Sequence, residues 1–215
     1  MRYLALGDSY SFGEGVPENG RWPMQLSARL RAQGIRIDDP CIIARTGWTT
    51  DELAAAMDEA EPLGQWDRVS LLIGVNNQYR SRALDEYREH FSALLDRAIA
   101  LADGVASHVL VLSIPDWGVT PFAADRDSAA IAREIDAFNA AASRICTSHG
   151  VDFIDITPTS RDRGNDAGMI AQDGLHPSAT MYSRWVDVLL ERPLAWFRQS
   201  PSSEGTRCQP PASAE

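Results

Sequence analysis

Apolar residues fall along this chain in two alternating rhythms. Compact runs at residues 3–6, 41–44, 69–73, 109–114 and 151–156 are rich in Val, Ile and Leu, and several close on Gly, Asp or Pro. Continuous apolar runs of this length fit strands buried on both faces, as in a parallel sheet. Between them the spacing changes to steps of three and four. Leu84, Tyr87, Phe91, Leu94, Leu95 and Ile99 make one helical stripe, and Ile131, Ile135, Phe138 and Ile145 make another. Shorter candidates cover 22–30 and 53–57, and Met181, Trp185, Val188 and Leu189 give the last helix its apolar side. Strand and helix alternate five times, which predicts right-handed crossovers and an α/β sheet with helices on both faces. Strand order does not follow from the pattern.

A chain of 215 residues suits one such domain. With 44% hydrophobic and 23% charged residues it has the makings of a core. Past residue 198 the composition turns small, polar and proline-rich (Pro201, Ser202, Ser203, Gly205, Pro210, Pro211). This predicts a domain over 1–198 and a disordered tail over 199–215. No apolar run approaches the ~18 residues that span a bilayer, and the apolar part of the N-terminus is too short for a signal peptide. The expected location is cytoplasmic.

Charge narrows the chemistry. A net charge of −10 argues against nucleic acid or an anionic membrane surface as partner and leaves a small molecule as the expected one. All 20 cationic side chains are Arg, so a Walker phosphate loop and a Schiff-base lysine are both excluded. Cys41, Cys146 and Cys208 have no paired spacing and read as buried or tail thiols. His90, His108, His149 and His176 stand far apart, so neither a metal nor another cofactor is expected. Nothing in the sequence sets an oligomeric state.

Four short blocks could carry chemistry. Gly7-Asp8-Ser9-Tyr10-Ser11 leaves the first strand, where a serine hydroxyl can face the crevice beyond the strand ends. Alone, Ser9 reads better as the cap of the next helix. Asp173-Gly174-Leu175-His176 allows a carboxylate to hold one imidazole nitrogen while the other faces a nucleophile. Alone, it is a loop ahead of a helix begun by Pro177 and Ser178. Gly47 follows the second strand, just before Thr49 and Glu52 at capping-box spacing. Gly74-Val75-Asn76-Asn77 follows the third strand, with Asn76 offering an amide donor. Both also read as ordinary turns.

Taken together and in this order, the blocks resemble the SGNH hydrolases, the GDSL esterase/lipase family. The resemblance runs from Met1 to about Arg198. It implies a three-layer α/β/α sandwich, flavodoxin-like, with a five-stranded parallel sheet. It also implies Ser9 as nucleophile, His176 as base and Asp173 as the residue orienting that base. The implied oxyanion hole is the Ser9 and Gly47 amides with the Asn76 side chain. Three departures stand out. Tyr10 replaces the family's leucine, Asn77 replaces a common aspartate, and the stretch from Gly74 to Arg80 looks like a subgroup variant.

The function this implies is a metal-independent serine hydrolase acting on a small-molecule carboxylic ester through an acyl-enzyme. A thioesterase or a carbohydrate O-deacetylase would use the same machinery with different walls. Trp48, Tyr79, Trp117 and Phe122 are the candidate walls, with packing an equal explanation. Arg80 and Arg82 are candidates to meet an anionic group, or else solvated surface residues. From other classes come a catalytically silent binding module on this fold and phosphoryl transfer through Asp8. The latter usually calls on a cation such as Lys, which the chain lacks.

Overall fold

The computed structural model describes residues 1–166, 168–192 and 195–197. The expected tail over 199–215 lies outside the described residues. Five parallel strands form one sheet in the order β2-β1-β3-β4-β5: β1 (Tyr3–Gly7), β2 (Cys41–Ala44), β3 (Arg68–Leu72), β4 (Val109–Leu112) and β5 (Asp152–Ile154). The central strands β1, β3 and β4 are buried at every position, while edge strands β2 and β5 are only partly covered. That difference explains their near-continuous apolar runs.

Among the described residues eight α-helices connect and cover the strands: α1 (Ser9–Phe12), α2 (Trp22–Ala32), α3 (Thr50–Glu59), α4 (Val75–Tyr79), α5 (Leu84–Leu101), α6 (Ser128–His149), α7 (Thr157–Arg163) and α8 (Ala179–Leu190). Helices α2 and α8 pack together on one face, and α3, α5 and α6 pack on the other. The apolar stripes of α5 and α6 are buried as expected through Tyr87, Phe91, Leu94, Ile131, Ile135 and Phe138. In α8 the buried side is Met181, Tyr182, Trp185, Val186 and Leu189, with Val188 half-buried at its border.

The apolar runs outlast the strands they predict. Ile73, Ile114 and Ile156 are buried, yet each lies beyond the end of its ladder. Periodicity reports burial, and burial continues where the chain turns over the sheet edge. At the opposite end of the strands, the Tyr3 hydroxyl meets Ser70 Oγ at 2.8 Å. The Trp196 ring crosses Tyr3 edge-on at 5.1 Å and donates from Nε1 to the Val69 carbonyl. Cys146 is a free, buried thiol, but Cys41 is disulfide-bonded, which corrects the expectation for that residue.

This strand order places the topological switch between β1 and β3. The connection after β1 leads to one side of the sheet and the one after β3 to the other, opening a crevice at their carboxyl ends. Ser9 and Asn76 come from those two connections.

Candidate active site

Asp8, not Ser9, caps α1: its Oδ1 accepts the Tyr10 N–H at 3.0 Å. The capping explanation for Ser9 is thereby removed. Ser9 is the first residue of the helix, its side chain nearly buried, and its hydroxyl makes no hydrogen bond among the described residues. The short helix closes at Gly13 in the left-handed region.

The Asp173 block closes on itself. Asp173 Oδ1 accepts the Leu175 and His176 amides, each at 2.9 Å, and Oδ2 meets His176 Nδ1 at 2.6 Å. Partial burial alone would raise the Asp173 carboxyl, but the bonds from the His176 ring and the two amides outweigh it and hold it below its ordinary value. An ionised carboxylate only accepts, so Nδ1 carries the proton and Nε2 is left as the basic nitrogen. The loop is fixed by an Ala171 N–H to the His176 carbonyl (2.7 Å) and by Ser178, which caps α8 by accepting from Met181. The His176 ring lies edge-on to Tyr10 at 5.9 Å, so the imidazole stands beside the residue that follows Ser9. Ser9 and His176 are not hydrogen-bonded here.

The two turns expected to supply donors are tied to each other. Gly47 has φ +90°, a left-handed conformation that favours glycine. Its carbonyl accepts from Arg80 at 2.7 Å, and the Trp48 carbonyl accepts from Asn76 Nδ2 at 2.9 Å. Thr46 is bonded to Glu14, and Glu52 reaches back to the Thr49 amide (2.8 Å) in the expected capping box. Gly74 has φ +130°, and a Cβ there would strike the Tyr87 ring. Asn77 is fully buried, with Oδ1 accepting the Thr50 amide (3.1 Å) and Nδ2 donating to Thr50 Oγ1 (2.8 Å). An amide thus braces this loop where a carboxylate is usual, and it uses both donor and acceptor to do so. The Ser9 and Gly47 amides donate to nothing among the described residues.

The GDSL-like Lipase/Acylhydrolase family pattern matches residues 5–184. The chain belongs to that family. As a family member it is an ester-cleaving hydrolase. Among solved structures it is similar to TesA, with 20% identity and a TM-score of 0.69 over 89% of this chain and 97% of that one. An acetyl-xylooligosaccharide esterase from Geobacillus, a mutant of Axe2, aligns at 19% identity and TM-score 0.69 over 93% and 97% of the two chains. The psychrotrophic esterase EstA from Pseudoalteromonas aligns at 16% and 0.67 over 88% and 94%. At these identities the likeness is one of fold. No curated protein matches.

The candidate walls of this GDSL-family site divide. Trp117 is buried and donates from Nε1 to Gln78 Oε1 at 2.8 Å. Tyr79 and Phe122 are exposed, and Trp48 is half-buried. Arg80 and Arg82 are committed elsewhere: Arg80 to Gly47 and Glu52, Arg82 to Asp51 and Glu86. Sequence reasoning missed Arg80 as the brace of the Gly47 turn, because the bond joins residues 33 positions apart. It also missed Arg126, which no motif contains. Among the described residues no helix is long and apolar enough to cross a membrane.

Proposed function

We propose that this chain hydrolyses carboxylic esters through an acyl-enzyme on Ser9, with His176 as general base and Asp173 holding its ring. The observation that carries this is the Asp173–His176 pair at 2.6 Å, its ring against Tyr10 at the carboxyl end of β1. A serine hydroxyl is a weak nucleophile until a base takes its proton during attack. His176 Nε2 takes that proton as Ser9 Oγ bonds to the ester carbon. The imidazolium then protonates the departing alcohol oxygen. Water, deprotonated by the same nitrogen, attacks the acyl carbon; as the acyl–Oγ bond breaks, the imidazolium returns that proton to Ser9 Oγ and the acid is released. Each tetrahedral intermediate carries its charge on the former carbonyl oxygen. The Ser9 and Gly47 amides and the second N–H of Asn76 Nδ2 are the donors proposed to receive it, and losing one such donor typically costs roughly 3 kcal/mol.

The substrate is a small-molecule ester. Ser9→Ala is the decisive variant. Turnover of an aryl acetate by that protein should vanish while its melting temperature stays near wild type, and a fluorophosphonate should label wild type at Ser9 alone. Full turnover in Ser9→Ala would falsify the mechanism.

A further inference from the structure

Large apolar side chains are seldom exposed here: among the described residues they are Tyr79, Val105 and Phe122. Two of these three surround one guanidinium. The Arg126 carbon lies 5.2 Å from the Tyr79 ring centre, 5.3 Å from Trp117 and 5.6 Å from Phe122. The rings also touch one another, Tyr79 to Trp117 at 5.4 Å and Trp117 to Phe122 at 6.1 Å. Arg126 donates to the Tyr79 hydroxyl at 3.3 Å and makes no ion pair among the described residues. Arg80, Arg82 and Arg161, by contrast, are all paired with carboxylates. Asp125 and Asp127 flank it along the chain. Asp127 caps α6 through the Ala130 amide, and Glu134 accepts from Gln78.

This cluster borders both halves of the candidate site. Tyr79 follows Asn76 by one helical turn on α4. The Phe122 amide donates to the Gly174 carbonyl at 2.9 Å, within the block that carries Asp173 and His176. Trp117 lines a small internal cavity together with Tyr10 and Leu175. A guanidinium held among rings keeps its remaining N–H donors for a planar anion, which a carboxylate can accept two at a time. Arg126 is exposed at this rim and makes no ion pair among the described residues.

We propose that Arg126, framed by Tyr79, Trp117 and Phe122, is a specificity-determining residue, and that preferred substrates are esters with a carboxylate on one half. This inference rests on the serine-esterase reading above. The test uses matched aryl esters. 4-Nitrophenyl hexanoate against mono-4-nitrophenyl adipate places the carboxylate on the acyl side, and phenyl acetate against 4-acetoxybenzoate places it on the alcohol side. Wild type, Arg126→Met and Arg126→Lys are compared by the anionic-to-neutral ratio of kcat/KM. In one of the two pairs that ratio should fall about fivefold in the Met variant, mainly through KM, the size expected of a single exposed ion pair. Arg126→Lys should recover part of it, and added salt should lower the wild-type ratio. A ratio unmoved in both pairs while the neutral esters turn over overturns this inference alone. No turnover of any ester by wild type removes the esterase reading, and this inference with it.

Discussion

Two aspartates stand behind the two candidate catalytic groups, and their surroundings push them opposite ways. Asp8, next to Ser9, is fully buried; one of its oxygens accepts from Tyr10 and the other, Oδ2, has no partner among the described residues. Burial pushes its carboxyl up to about 7, against the pull of backbone amides. Asp173, behind His176, is more exposed yet lies below its ordinary value, because three donors reach it. Backbone donors reach both carboxyls, so depth separates them: burial outweighs the donors at Asp8, and the donors outweigh the slighter burial at Asp173. Asp173 is therefore equipped to stabilise an imidazolium, whereas Asp8 serves as a helix cap that sets the direction in which Ser9 leaves the strand.

The sharpest way to break this contrast is Asp173→Asn. An amide keeps the shape but offers the ring an NH2 or a neutral oxygen, so the Nδ1–H tautomer loses its charged partner. Turnover should fall by a factor on the order of 10⁴ if the analogy with other triads holds. The melting temperature at neutral pH should move little, since the carboxylate is over a third exposed. A loss of only a few-fold would mean that something other than Asp173 orients the ring.

Asp173 was legible in the sequence because its partner lies three residues away, inside one turn. The sheet was legible for a similar reason, since each buried strand writes its own continuous apolar run. The helices α1, α4 and α7, of four to seven residues, are too short to show a period. Capping roles were half legible. Thr49 and Glu52 announced themselves by spacing, but only the fold could choose between Asp8 and Ser9 as the cap of α1. Contacts across the crevice, Arg80 to Gly47 and Arg126 to Tyr79, join residues 33 and 47 positions apart and left no local mark.

Arg80 extends the contrast to the side proposed to hold the oxyanion. There the turn is held by a cation on a carbonyl rather than by a carboxylate on a ring. Arg80→Met frees the Gly47 carbonyl and lets the 45–48 turn relax, so the Gly47 amide drifts from the place where charge develops. Small misplacements of this kind cost up to about 10²-fold, and the loss should appear in kcat with KM nearly constant. A rise in KM at unchanged kcat would mean that Arg80 contributes to ground-state binding instead.

The smallest expected effect concerns Asp8 and is read in stability. In the folded chain Asp8 keeps its proton up to about pH 7, whereas the unfolded chain releases it near 3.8. Between those values the folded state binds more protons, so the Asp8 contribution to stability declines as pH rises through that window. Asp173 has the opposite sign: its folded value is lowered, so its contribution is present above about pH 4 and is lost only below that. Asp8→Asn keeps an oxygen to accept the Tyr10 amide and removes the buried charge. Its melting temperature at pH 8 should therefore exceed that of wild type by a few degrees, on the order of 1 kcal/mol or more. Its slope between pH 5 and 8 should be flatter, while below pH 4 the two proteins should converge. A variant that melts lower at pH 8, with the wild-type slope retained, would show that Asp8 is ionised and stabilising in place. The two aspartates would then differ in position but not in charge.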